Sequence, residues 1–129
     1  MSRQSRGKPD PQPAGLVTGG ELEIRCEASG RHHLLELAGE LDLAGVDVLR
    51  AELDRCADDG AEMTVVDLRR LTFIDSTGLC VLFYALERAK AERRRLVFTR
   101  SSPEVERTIH LSGLDQVLAL DAEAGRADR

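Results

Sequence analysis

The sequence predicts an α/β domain: a mixed, mostly parallel β-sheet of about five strands with helices packed on it and an N-terminal β-hairpin. Three observations carry this expectation. An early run alternates apolar and charged residues with a period of two and is followed through a short turn by a second strand-like run, later runs are helical in period or capped like helices, and a short apolar run follows each helix. At 129 residues the chain holds one compact domain and has no room for two ordinary ones.

Residues 1–20 are polar and rich in Pro and Gly, with Pro9, Pro11, Pro13, Gly15, Gly19 and Gly20. A stretch of that composition buries too little apolar surface to order itself, so a disordered tail is expected there and the domain is expected over 21–120. Leu22, Ile24, Cys26 and Ala28 alternate with Glu21, Glu23, Arg25 and Glu27, the pattern of a half-buried strand. Ser29-Gly30-Arg31 reads as a turn and Leu34 to Ala38 as a second strand, paired antiparallel with the first.

The period then lengthens. Leu43, Val46, Leu49, Leu53 and Ala57 recur at helical spacing, with Arg50, Glu52, Asp54 and Arg55 on the outer face and Gly60 where a C-terminal glycine belongs. Met63 to Leu68, centred on Val65 and Val66, suits a buried strand. The next helix opens at Asp75 or Ser76, either of which can cap it, and runs to about Arg93. Its last turns gather Arg88, Lys90, Arg93, Arg94 and Arg95, where cations oppose the negative end of the helix dipole.

Leu96 to Thr99 is a further strand. Ser101-Ser102-Pro103-Glu104 is a helix start with a serine cap, proline in the first turn and an acid near the positive end. Val105, Ile109 and either Leu111 or Leu114 supply that helix's inner face, Gly113 stops it, and Val117 to Leu120 is the last strand. Residues 121–129 read as a short tail.

Composition excludes several classes of function. Aromatic residues make up 3% of the chain and Trp is absent, so the platforms that stack nucleic-acid bases are missing. A net charge of −5 opposes binding to a phosphate backbone. No apolar run approaches the ~20 residues that span a bilayer, and none follows Arg3, Arg6 and Lys8 as a signal peptide requires. Cys26, Cys56 and Cys80 form neither a metal spacing nor a disulfide framework and are expected as small buried hydrophobes in a reducing, cytoplasmic setting. No metal or cofactor is expected. His32 and His33 are adjacent in a turn, where their side chains diverge, and nucleophile-elbow, phosphate-loop, zinc-protease and dinucleotide motifs are absent.

Chemistry therefore concentrates in Phe73-Ile74-Asp75-Ser76-Thr77-Gly78-Leu79, a small polar cluster entering an almost continuously apolar helix. Ser76 has no base beside it in sequence, which lowers any reading of it as a nucleophile. Gly78 in the first turn costs ~0.8–1 kcal/mol relative to Ala. Close approach to its backbone would explain it, and a partner protein is one candidate for what approaches.

Val65-Val66-Asp67-Leu68 followed by Ile74-Asp75-Ser76-Thr77-Gly78-Leu79 resembles the signature of the anti-sigma factor antagonist family, the STAS domain. Gly39-Glu40-Leu41-Asp42, between the second strand and the first helix, adds to it, and the resemblance covers about residues 20 to 120 in the family's element order. It implies a regulatory module and not an enzyme. By resemblance, Ser76 is phosphorylated by a partner that is both a serine kinase and an anti-sigma factor. The unphosphorylated antagonist holds that partner and frees the sigma factor, and a phosphatase restores it. The resemblance places Asp42, Asp75, Ser76, Thr77, Gly78 and Leu79 at the partner-facing surface, with no direct nucleic-acid contact and no membrane insertion. It also implies an alternative role, as an accessory or scaffold subunit of a stress-sensing assembly or a membrane transporter. One departure stands out: relatives end in a further helix, whereas only Asp121 to Arg129, with Gly125 and few apolar residues, follow the last expected strand here.

Overall fold

A computed structural model describes residues 15–113. In chain order the elements are β1 (Gly15–Gly19), β2 (Leu22–Ser29), β3 (His32–Leu41), α1 (Val46–Asp58), β4 (Met63–Ile74), α2 (Ser76–Ala91), β5 (Arg95–Phe98) and α3 (Pro103–Ser112). The sheet runs β1-β2-β3-β4-β5, antiparallel in its first two pairings and parallel in the last two. The mixed sheet is as expected, but its five strands are not the five read from the sequence. The strand at Val117 to Leu120 lies outside the described residues, and β1 was not anticipated.

That strand corrects the expected boundary at residue 20. Leu16-Val17-Thr18 is short but favourable to strand, and it folds back on β2 through a tight turn in which Gly20 has φ +60°. Glycine and proline around it hid a segment that pairs from Gly15 with Cys26 to Gly19 with Leu22. The expected β2–β3 hairpin is present, longer at both ends, and joined through Gly30 and Arg31.

One aliphatic core holds the layers together. Leu22 and Ile24 of β2, Leu35 and Leu37 of β3, Val66 and Leu68 of β4 and Phe98 of β5 meet Leu49 of α1, Leu79, Leu82 and Leu86 of α2, and Val105 and Ile109 of α3. A smaller group on the other face of the sheet joins Met63 and Val65 to Leu34 and Val97. Several side chains depart from their expected places. Leu43 is not on the α1 face but in the turn before it, 71% exposed, and Leu111, one of the two residues expected on the inner face of α3, is 76% exposed, while Leu114, the other, lies outside the described residues. Glu52, expected outside, is buried and accepts from the Arg55 guanidinium and from the Cys26 thiol at 3.2 Å. An ion pair and a thiol donor together make a carboxylate tolerable at that depth. The Cys26 thiol is correspondingly pushed up to about 12 by burial and by Glu52, and the Cys56 thiol up to about 11 by burial. Cys80, by contrast, is exposed.

The helix ends follow their sequence signals. Gly60, at φ +77°, lets its N–H reach the Ala57 carbonyl while the Ala61 N–H reaches that of Cys56, closing α1 in a Schellman motif. Ser102 caps α3 by accepting from the Val105 N–H at 3.3 Å, with Pro103 in the first turn. The end of α2 uses the same pattern as α1, but with Arg93 rather than glycine at φ 60°.

Candidate functional site

The site forms where two neighbouring parallel strands, β3 and β4, end at the same edge of the sheet. Leu41 is paired with Ile74, so the chain leaves β3 through Asp42 beside the point where it leaves β4 through Asp75. A break in register between Gly39 and Glu40 helps to bring the ends level. Gly39 has φ +97°, and a Cβ there would lie 2.1 Å from the Glu21 carbonyl oxygen, so only glycine lets β3 pass that close.

Asp75, not Ser76, is the cap of α2. Its Oδ1 accepts from the Gly78 N–H at 3.0 Å and from the Thr77 hydroxyl at 2.6 Å. Its own N–H donates to the Leu41 carbonyl at 3.2 Å. Partial burial acts to raise its pKa, but the donors outweigh it. The Thr77 hydroxyl and the backbone N–H groups of Gly78, Thr77 and Leu43 together hold the carboxyl below the ordinary aspartate range. Asp42 organises the facing turn. Its carboxylate accepts from the Ala44 N–H at 3.1 Å, and its carbonyl accepts from the N–H groups of Gly45 and Val46.

Ser76 is thereby left as the first residue inside the helix, exposed, with no hydrogen-bond partner for its hydroxyl among the described residues. Thr77 is half-buried and held by Asp75. The structure thus brings Asp42, Asp75, Ser76 and Thr77 to one edge.

Gly78 and Leu79 do not join them at the surface, which corrects the expectation that they face a partner. Leu79 is 4% exposed and belongs to the core. Gly78 is buried, and a Cβ on it would come within 2.7 Å of Leu41 Cγ and 3.0 Å of the Leu41 carbonyl oxygen. What approaches the glycine is the end of β3, not another protein. Two exposed apolar side chains that sequence reasoning did not assign to the site border it instead: Leu43, and Phe73 at 47% exposure. Phe73 stood inside the motif, two residues before Asp75, and an aromatic beside a polar cluster was the available signal. Leu43 had none, because its spacing fits the helix that follows.

Among the described residues no group of three or more His, Cys, Asp or Glu is placed to hold a metal ion. No helix among them is long and apolar enough to cross a membrane.

The described residues form a small open-sheet α/β fold in which a serine with no hydrogen-bond partner among them stands at the start of a buried helix, and Asp75 ties that start to the end of the neighbouring strand. Residues 24–120 match the family model described as Mlab, STAS domain, and the chain belongs to the STAS domain family. It is 28% identical over 90 residues to the anti-sigma-B factor antagonist of Bacillus subtilis, covering 70% of this chain and 82% of that protein. The solved structure of the anti-sigma factor antagonist SpoIIAA in its unphosphorylated form is similar at 27% identity and a TM-score of 0.69, covering 82% of this chain and 94% of that one. The phosphorylated form of SpoIIAA, described as a Bacillus cell fate determinant, is similar at 26% identity and a TM-score of 0.63, covering 82% and 97%.

Proposed function

We propose that this chain is an anti-sigma factor antagonist that works in the cytoplasm by partner switching. Unphosphorylated, it binds a serine-kinase anti-sigma factor and frees the sigma factor. Phosphorylation of Ser76 ends that binding, and a phosphatase resets it. The observation that carries this reading is the state of the Ser76 hydroxyl, exposed and without a hydrogen-bond partner among the described residues. Similarity to relatives named as anti-sigma factor antagonists, one of them solved with and without its phosphate, supports it.

The switch follows from local charge. A phosphoryl group adds ~1.5–2 negative charges at neutral pH. The dipole of the α2 N-terminus favours an anion there, so the domain stays folded. A partner surface matched to a neutral serine must instead desolvate a dianion, with Asp75 next to it in the chain to oppose any further anion. Losing ~3 kcal/mol of binding lowers affinity more than a hundredfold. Capture of partners from a cytoplasmic extract on wild-type, Ser76→Ala and Ser76→Asp chains tests the proposal. Wild type and Ser76→Ala should retain an ATP-binding anti-sigma factor, and Ser76→Asp should fold but lose it. Equal retention by Ser76→Asp, or an ATPase or permease as the retained protein, would overturn it.

A further inference from the structure

Two hydroxyls stand side by side at the start of α2, and the structure treats them differently. The Thr77 hydroxyl donates to Asp75 Oδ1 at 2.6 Å, within the range of about 2.5–2.7 Å that marks charge-assisted O–H···O⁻ bonds. Thr77 is also β-branched, so its χ1 has few alternatives inside a helix, and turning the oxygen outward would break the bond to Asp75. Ser76 carries none of these restraints: it is exposed, and its oxygen has no hydrogen-bond partner among the described residues.

We propose that Asp75 is the residue that selects the phosphate acceptor, by withdrawing the Thr77 hydroxyl and leaving Ser76 as the one a kinase can use. This rests on the reading of the site as a phosphorylation switch. In the transfer, Ser76 Oγ forms a bond to the γ-phosphorus of ATP as the bond from that phosphorus to the β-bridging oxygen breaks. ADP leaves, and the hydroxyl proton passes to a base of the kinase or to solvent. For Thr77 the same attack must bring an anionic γ-phosphoryl group up to an oxygen already in contact with a carboxylate, and like charges at that separation repel. Nor does Asp75 serve as a base for Thr77. Although partial burial acts against ionisation, the Thr77 hydroxyl and the N–H groups of Gly78, Thr77 and Leu43 keep it a weak proton acceptor. Asp75 is therefore a positioning residue: it touches neither ATP nor phosphate and acts through Thr77.

The test maps phosphate on wild type, Ser76→Ala, and the double variant Ser76→Ala with Asp75→Asn. Each is incubated with magnesium ATP and the anti-sigma kinase retained by the wild-type chain, and phosphopeptides are fragmented by mass spectrometry. Asn is as good a helix cap as Asp, so the double variant should keep its fold, which circular dichroism checks. Wild type should carry phosphate on Ser76 in preference to Thr77 by about ten- to a hundredfold, the range a charge-assisted hydrogen bond supports. Ser76→Ala should be nearly silent, and the double variant should gain phospho-Thr77 by at least about tenfold over it. A kinase-free arm follows the Asp75 carboxyl by NMR titration: Thr77→Val should raise its midpoint and Ser76→Ala should not. Comparable phosphate on both hydroxyls of wild type, a folded double variant as silent as Ser76→Ala, or an Asp75 midpoint indifferent to Thr77→Val would each overturn the proposal. Phosphate on neither residue of wild type would overturn it together with the switch itself; an Asp75 midpoint that still responds to Thr77→Val would then identify the switch reading as what failed.

Discussion

The backbone N–H of Asp75 donates to the carbonyl of Leu41, so the turn after β3 and the start of α2 are joined by the main chain as well as by packing. Two segments more than thirty residues apart in sequence therefore behave as one unit, and substitutions in either should be felt in both.

Gly78→Ala is the sharpest test of that joint. Alanine gains about 1 kcal/mol of helix propensity over glycine. Its Cβ, however, would sit 2.7 Å from Leu41 Cγ and 3.0 Å from both Ile74 Cγ1 and the Leu41 carbonyl oxygen. Overpacking of this kind costs about 1–3 kcal/mol, so after the propensity gain a net loss of up to about 2 kcal/mol is expected in urea denaturation. A raised midpoint would show that β3 and α2 can separate freely.

Arg93→Gly should do the reverse. Arg93 holds φ 60°, a left-handed conformation that L residues with a Cβ adopt at a cost and glycine does not. Replacement should stabilise the domain by about 0.5–1 kcal/mol, read as a higher thermal midpoint. Arg93 is exposed and lies at the far end of α2 from Ser76, so partner capture should not change.

Acid should loosen the site through Asp75. A carboxyl whose folded-state value is depressed contributes stability that is complete above its unfolded value, near 3.8, and lost as pH falls through the folded one. Wild type should therefore lose an increment between about pH 4 and the lower folded midpoint that Asp75→Asn, which cannot ionise, does not lose. Urea midpoints measured across that window for both proteins check the sign. Parallel curves would mean that the Asp75 carboxylate gains nothing from its donors.

The apolar border should matter for docking and little for folding. Leu43→Ser and Phe73→Ser remove exposed side chains, so each should change stability by no more than about 0.5 kcal/mol. Together they should weaken capture of the anti-sigma factor by about tenfold or more. Asp42→Ala should behave differently: because its carboxylate holds the Ala44 N–H, about 1 kcal/mol of stability should go with it. Calorimetry and titration on the same preparations would separate the two effects.

Much of this was legible from residues alone, for reasons that differ by element. The β2–β3 hairpin and α3 announce themselves through period and caps, because alternation and Ser-x-Pro-x starts have few other readings. The expectation of a phosphate acceptor at Ser76 came from a resemblance, and spacing left the choice of cap open. Only the fold could decide between Asp75 and Ser76, since the deciding partners are the Gly78 N–H and the Leu41 carbonyl, one of them distant in sequence. Gly78 was read as making room for a partner because the end of β3 cannot be seen in a one-dimensional pattern. Glu52 failed for the same reason: an acid at helical spacing looks solvent-facing until Cys26 and Arg55 are found beside it.

The sheet also has a quiet end. β3 runs from His32 to Leu41, so the turn at Gly30 lies about 30 Å from the Ser76 edge at the usual rise per residue. Nothing comes within 4 Å of where a Cβ would stand at Gly30 or at Gly60. A fluorophore or short affinity peptide grafted beside those turns would report on capture and release while leaving the working edge untouched. The molecule's geometry thus supplies its own place to hold it by.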